Sequence, residues 1–525
     1  MTSEKSPSIL AVAAGIVSIR CGSLLFPFVS FRHMVLYHEQ GPLWRLLLPV
    51  LIDSGIVWLL CMALLALIRR WERVRLVFWT AFFSLLPLIA ARMAFVAMGT
   101  LPPIRVEVAL VLLTLLIFCL LLFLAWRSSV GHVRRALRLA ETVVALTAWS
   151  GAVLLGQSLW SCYAAARVAV PPLLSLSPNA PPRPTVLWIL FDEISEDQLF
   201  DHRFPGLALP AFDRFASQST VFSHAVAANL YTEAAVPGLM TGLPVDQIEA
   251  GFDGQRLTLD LRSGAHQLFD AQQTVFGDAQ RLGYPTSVVG WYNPYCRILP
   301  TVLNRCTWVG HSYDLPAGFR SNTPFARNLP TALVGSIPLR NHLYGHLGFQ
   351  SDRAMRGDHI AEYRKLESAS LSLLAEPHPG FVMLHIAAPH PEGIYNRHTG
   401  VLSDAAPLSY VDNLALADRF LGEVEETLAK KQEWDQATIV IMGDHSWRTQ
   451  QIWRASDIWT PEDEIASDHG AFDDRPGYLV KLPGQHTAAR IDASFDALRS
   501  RALFDEILAG QIQTPEQLAV WAAHP

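Results

Sequence analysis

Hydrophobic residues are spread very unevenly along the chain. Before about residue 165 they gather into five stretches, Ser8–Phe28, Trp44–Ile68, Leu76–Met98, Val106–Trp126 and Ala140–Trp160, with short polar links between them. About 20 apolar residues in a helix cross a hydrocarbon layer ~30 Å thick, so residues 1–165 are predicted to form a five-helix transmembrane bundle. Charges fall well inside three of them: Arg20 in the first stretch, Asp53 in the second and Arg92 in the third. A lone charge in lipid is costly. The three are expected to neutralise one another inside the bundle, the other reading being a polar path for a lipid headgroup.

The links set an orientation. RRWERVR, from Arg69 to Arg75, carries four arginines, and the link after the fourth stretch carries Arg127, Arg134, Arg135 and Arg138. Arginine-rich short loops stay in the cytoplasm. The amino terminus is therefore expected inside, and everything after Trp160 on the extracytoplasmic side of a cell inner or plasma membrane. The first stretch is not read as a cleaved leader, since Glu4 offsets Lys5 and no small-residue cleavage site follows.

The pattern changes after the fifth stretch. Residues 166–184 are rich in proline, as in PPLLSLSPNAPPRP, and predict a stiff, extended linker. From residue 185 the apolar runs are short: TVLWILF, PTSVVGW, GFVMLHIAAPH, ATIVIMGDH and PGYLVKLPG. Runs of that length suit buried parallel strands. Helical segments such as LALADRFLGEVEETLAKK, residues 414–431, lie between them. The alternation predicts a doubly wound α/β domain over 185–485. Residues 486–525 are expected to add two polar-faced helices on its outside.

With 525 residues the chain exceeds a single core. Its 51% apolar and 17% charged residues fit the membrane half, and a net charge of −6 gives no basis for nucleic-acid binding. Cys21, Cys61 and Cys119 fall in apolar stretches as small fillers, and Cys162 is a spare thiol. Cys296 and Cys306, ten apart, can pair in an oxidising compartment.

Candidate chemistry collects where strands end, the position that carries function in open α/β sheets. Asp192 and Glu193 follow TVLWILF, Asp444 and His445 follow ATIVIMG, His390 lies in PHPEG and His469 in SDHGAF. Carboxylates with imidazoles suit a divalent metal such as Zn²⁺ or Mn²⁺. The segment NLYTEAAVPGLMTG, residues 229–242, resembles the nucleophile segment of the alkaline phosphatase/sulfatase superfamily. There a Cys, Ser or Thr opens a helix and a Thr-Gly follows nine residues later. Nine before Thr241 is Thr232. Five before Pro237, the register of the lipid A phosphoethanolamine transferases, is also Thr232. FDE, PHPEG, GDHS and the run from His469 to Pro483 resemble the superfamily's remaining site segments, in order.

The resemblance implies an alkaline-phosphatase-like domain with Thr232 as nucleophile and metal ligand. Asp192, Glu193, Asp444 and His445 would complete the metal shell, with the two adjacent carboxylates not distinguished. His390 and His469 would neutralise substrate oxygens or protonate the leaving group. Asn229, Arg448 and Lys481 are candidate headgroup contacts, with a surface or capping role equally open. Ile386 stands four before His390, where an Asp ligand would be expected, so one tight metal is implied, with at most a loose second at His390 and His469. Threonine cannot be matured to formylglycine, which argues against a conventional sulfatase. A threonine with a membrane anchor resembles lipoteichoic acid synthases, phosphoglycerol transferases and phosphoethanolamine transferases. The expected function is metal-dependent transfer of a phospholipid-derived headgroup to an envelope glycan or lipid acceptor. The alternatives are a phosphodiesterase or phosphatase using water, and a non-catalytic envelope binding protein. The Phe-Asp-Glu segment departs from the Gly-Glu-Thr-like or lone-Glu forms of those families and leaves the headgroup open.

Overall fold

The computed structural model describes residues 7–29, 36–37, 43–97, 104–167, 171–176, 182–251, 256–310, 351–405, 408–456 and 458–524. The chain divides into two compact units. The first holds residues 1–34 and 40–167 with the segment 312–351, and the second holds 35–39, 168–311 and 352–525.

The first unit contains α1 (Ile9–Val29), α2 (Trp44–Ile68), α3 (Glu72–Ala97), α4 (Ile104–Arg127) and α5 (Val130–Ala165). Four described helical stretches are long and apolar enough to cross a membrane: Leu47–Ile68, Glu72–Ala91, Arg105–Arg127 and Val130–Ala165. In α1, expected as a fifth span, the described apolar stretch is Ile9–Ile19. Most of these helical surfaces carry exposed leucine, valine and tryptophan, as a lipid-facing surface does. Contact between α1 and α5 depends on small residues: a Cβ on Gly15 would collide with the Val144 carbonyl, and one on Gly151 with Ser18. Thr147 Oγ1 donates to the Gly15 carbonyl (3.1 Å) and Ser161 Oγ to the Phe28 carbonyl (2.6 Å). Small residues and hydroxyls at close helix crossings are the means of association where no hydrophobic effect operates. Contact positions on the two helices advance together, so α1 and α5 run in the same direction. Asp53 is 1% exposed, and neither carboxylate oxygen has a hydrogen-bond partner among the described residues. The side chains of Arg20 and Arg92, expected to neutralise it, lie outside the described residues.

The second unit is built on an eight-stranded sheet of β1 (Val186–Asp192), β2 (Thr220–Phe222), β3 (Thr286–Trp291), β4 (Arg305–Val309), β5 (Phe381–Pro389), β6 (Thr438–Gly443), β7 (Tyr478–Lys481) and β8 (Ala489–Ile491). The spatial order is β8-β2-β7-β6-β1-β5-β3-β4. Strands β4, β3, β5, β1 and β6 are parallel, whereas β7 runs antiparallel to both neighbours. Every residue of β1 is buried. Val186, Trp188 and Leu190 face one core, and Leu187, Ile189 and Phe191 the other. That division is why the run is continuously apolar rather than alternating. The core that takes Leu187, Ile189 and Phe191 packs against α6 (Pro210–Ser217) and the later helices α8 (Ser351–Leu374) and α9 (Tyr410–Lys430); the core that takes Val186, Trp188 and Leu190 packs against α7 (Thr232–Thr241).

Residues 486–525, expected as an outer helical addition, instead supply the edge strand β8 and two helices whose Leu503, Phe504, Ile507 and Leu518 are buried in the core. The Phe504 ring lies 4.9 Å from that of Trp188. Cys296 and Cys306 form a disulfide joining the segment after β3 to β4.

Candidate active site

The carboxyl ends of β1 and β6, the middle of β5 and the start of α7 converge. Asp192 ends β1 and Asp444 follows β6. Both are fully buried, as are His445 and His385. Thr232 is the first residue of α7, and Tyr231 before it makes no side-chain cap. The Thr232 hydroxyl does not cap its own helix. It lies 3.3 Å from Asp192 Oδ2 and 3.2 Å from His445 Nε2. It is 7% exposed.

Hydrogen bonds fix the protonation of the imidazole beside it. His445 Nδ1 is 3.0 Å from the Ser446 carbonyl, which can only accept. Nδ1 therefore holds the proton, and Nε2 turns its lone pair toward Thr232 and Asp444 Oδ2, 3.2 Å away. Asp444 Oδ1 accepts from the N–H groups of His445 (2.9 Å) and Glu193 (3.2 Å). On the other side His385 Nε2 lies 3.7 Å from Asp192 Oδ2, and its Nδ1 lies 2.7 Å from the Tyr295 hydroxyl. A Cβ at Gly290 on β3 would overlap the Tyr295 ring, so glycine there lets Tyr295 reach His385.

Burial and neighbouring carboxylates dominate the electrostatics of the cluster, with the Arg448 guanidinium a lesser, favourable neighbour. Burial, reinforced by neighbouring Asp192, pushes the Asp444 carboxyl up to about 7. Burial lowers His385 to about 4 and His445 well below its ordinary value, so both rings are neutral near pH 7. Asp444 Oδ2 and His385 Nε2 are buried without a hydrogen-bond partner among the described residues. Two sets of ligand atoms lie within 4.8 Å of one another: Asp192, Glu193 and His445, and Asp192, His385 and Asp444. Neutral imidazoles, adjacent carboxylates and orphaned acceptor atoms fit a divalent cation.

Geometry separates the two carboxylates that the sequence left undistinguished. Glu193 sits at φ +65°. Its carboxylate accepts from Arg448 Nε (2.7 Å), Arg448 Nη2 and Trp453 Nε1 (2.8 Å). Its carbonyl accepts from the Tyr410 hydroxyl (2.8 Å). A left-handed backbone at a residue bearing a Cβ costs roughly 1–2 kcal/mol, and these bonds hold it in place. Asp192 is thus the carboxylate facing the nucleophile, while Glu193, which also falls in one ligand set, is braced by Arg448 and Trp453.

Other expected site residues fall elsewhere. Arg448, expected to contact a headgroup, is 7% exposed and committed to Glu193 and the Leu230 carbonyl. Asn229 Nδ2 donates to the carbonyls of Val245 and Asp246, while its Oδ1 accepts from the Tyr231 N–H. Both shape the turn before Thr232. Lys481 is buried where β7 meets the start of β6, at the opposite end of the sheet, donating to the Trp434 carbonyl. His390 is 8% exposed between the rings of Trp291 and Trp453, 5.0 Å from each, with Nδ1 on the Pro391 carbonyl. It lies outside both ligand sets. His469 also lies outside them; its side chain is 78% exposed, 3.6 Å from Glu464. His385 and Tyr295 are the site residues that sequence reasoning missed. The available signal was a histidine inside the otherwise apolar strand FVMLHIAA.

The sulfatase family model matches residues 184–487. No curated protein matches the chain. Among solved structures the chain is similar to Ps i-CgsB in complex with k-i-k-neocarrahexaose, at 17% identity over 65% of this chain and 76% of that one, TM-score 0.42. It is also similar to a phosphonate monoester hydrolase of Agrobacterium radiobacter, at 16% identity over 62% and 74%, TM-score 0.37. A third is murine ectonucleotide pyrophosphatase/phosphodiesterase 5, at 12% identity over 63% and 96%, TM-score 0.35.

Two substitutions separate ligand from brace. Arg448→Met strands a buried carboxylate and is expected to destabilise the second unit by about 3–5 kcal/mol, read as a fall in thermal midpoint. A change confined to substrate affinity would restore the headgroup role. His385→Ala is expected to weaken divalent-metal retention roughly 10–100-fold, measured by titration after chelation; unchanged affinity would remove His385 from the set.

Proposed function

Starting from the fact that this chain belongs to the sulfatase family, we propose that it transfers a phospholipid-derived headgroup through Thr232. It is an enzyme of the sulfatase-like hydrolase type. The single observation that carries the finer reading is the Thr232 hydroxyl, 3.3 Å from Asp192 Oδ2 and 3.2 Å from His445 Nε2 at the start of a helix. A threonine in that place excludes formylglycine chemistry and keeps an alcohol nucleophile.

Asp192, Asp444, His445 and Thr232 would hold one divalent metal, Zn²⁺ or Mn²⁺, with His385 adjoining. When bound, such an ion supplies Lewis acidity and stabilises an alkoxide. The protein supplies the rest. Both atoms facing the Thr232 oxygen are acceptors, which favours loss of its proton. The amino end of α7 favours an anionic phosphodiester beside that oxygen. Attack forms the Oγ1–P bond as the bond from phosphorus to the lipid glycerol oxygen breaks, and the departing alcohol takes up a proton. His390, with Nδ1 held by the Pro391 carbonyl, is the residue assigned to that proton. An acceptor hydroxyl then takes the phospho group and restores Thr232. The donor is a phosphoglycerol- or phosphoethanolamine-type lipid and the acceptor an envelope glycan or lipid. The first unit is proposed as a multi-pass anchor, with the arginine-rich links in the cytoplasm and the second unit outside.

Exposure of the purified protein to native lipids is expected to add the mass of one headgroup phosphate to the peptide bearing Thr232, and Thr232→Ala to abolish both adduct and turnover. Turnover by the alanine variant would remove Thr232 from the reaction. Release of free headgroup with no labelled acceptor would make the enzyme a phosphodiesterase. Reporter fusions at Arg70 and Pro182 are expected to report opposite compartments; matching signals would overturn the topology.

A further inference from the structure

Two residues that lie in sequence between the first two apolar helices belong to the second unit. Leu36 is fully buried and Tyr37 is 3% exposed, both in the core that packs against α7. The Leu36 carbonyl accepts from Arg297 Nη1 (2.7 Å). The Tyr37 hydroxyl donates to Asn293 Oδ1 (3.2 Å), and Asn293 Nδ2 donates to the carbonyl of Thr232 (3.1 Å). All three side chains are buried. A second link leaves the same tyrosine. Its ring packs edge-on against Tyr292, centroids 5.7 Å apart, and the Tyr292 hydroxyl donates to Glu233 Oε2 (2.9 Å). The first two residues of α7 are therefore each tied to Tyr37 through one intermediary.

We infer that Tyr37 is a positioning residue for the Thr232 nucleophile, acting through Asn293. The inference rests on the reading of Thr232 as the attacking group. Threonine is stiff about its first side-chain torsion, so the direction of Oγ1 follows the backbone of residue 232. Asn293 holds that backbone by its carbonyl. The Tyr37 hydroxyl occupies the amide oxygen and leaves the amide nitrogen to Thr232. Asn293 is thus the junction through which Tyr37 bears on the nucleophile. Reacting groups displaced by about 1 Å lose about 100-fold in rate, and removing one of two supports is expected to allow a fraction of that displacement.

The test uses the full chain with a fluorescent-headgroup phospholipid in mixed micelles. Tyr37→Phe keeps the ring and removes the hydroxyl. It is expected to slow labelling of Thr232 about 10-fold with KM within twofold of the starting protein and the thermal midpoint unchanged. Asn293→Ala is expected to cost at least as much, and the double variant no more than Asn293→Ala alone, since residues acting through one partner are not additive. Labelling of Tyr37→Phe at the full rate, or losses that multiply in the double variant, would overturn the inference while leaving Thr232 as nucleophile. Turnover of the unsubstituted protein without any adduct on Thr232 would overturn the underlying reading and this one together. If Tyr37→Phe lowers the thermal midpoint in proportion to the rate, its role is packing and the inference fails.

Discussion

The structure of the second unit turns on two carboxylates, Asp192 and Asp444, buried beside one another at the ends of adjacent parallel strands. The Arg448 guanidinium forks onto Glu193, so it offsets their charge only in part. Two buried like charges raise the free energy of the ionised state, and the pocket answers with neutral imidazoles and a protonatable Asp444. A cation would relieve the cluster in a single step. The fold brings these groups together because β1, β5 and β6 are neighbours, so chemistry from residues 192, 385 and 444 meets within a few ångströms.

Such a cluster keeps its shape only if its surroundings are rigid. Glu193 accepts a left-handed backbone because Arg448, Trp453 and Tyr410 grip it from three directions. Gly290 makes room for the Tyr295 ring, which in turn fixes His385. Asn229 and Arg448 brace the turn that delivers Thr232. Partners of this kind outside a ligand set govern its affinity and orientation, which is why residues that resemble substrate contacts in the sequence serve as struts in the folded chain.

Much of this was legible in the sequence. The continuous apolar runs announced strands buried on both faces. Thr232, Asp192, Asp444 and His445 were readable because each stands at the end of such a run or at a fixed distance from a Thr-Gly pair. The remainder was hidden for physical reasons. His385 lies within β5 rather than at its end, where a histidine reads as an isolated polar residue in a core strand. Spacing leaves Arg448 and Asn229 open as headgroup contacts or caps, since it does not reveal that the one is already paired and the other already hydrogen-bonded. His469 follows a convincing segment, yet its ring sits in solvent beside Glu464. Tyr37 meets Asn293 across 256 positions, a separation at which local pattern carries no information.

The placement of Leu36 and Tyr37 bears on what counts as a self-sufficient enzyme here. A protein cut free at residue 168 would keep the whole sheet and every candidate ligand, yet would lack two plugs for its own interior. The void would be lined by aromatic and amide groups, and filling a gap of one leucine is alone worth about 2–5 kcal/mol. The boundary between the two units is therefore not a point along the polypeptide. A severed enzyme of this kind should be weaker and looser than the same residues in the intact chain, even though nothing was removed from its reacting centre.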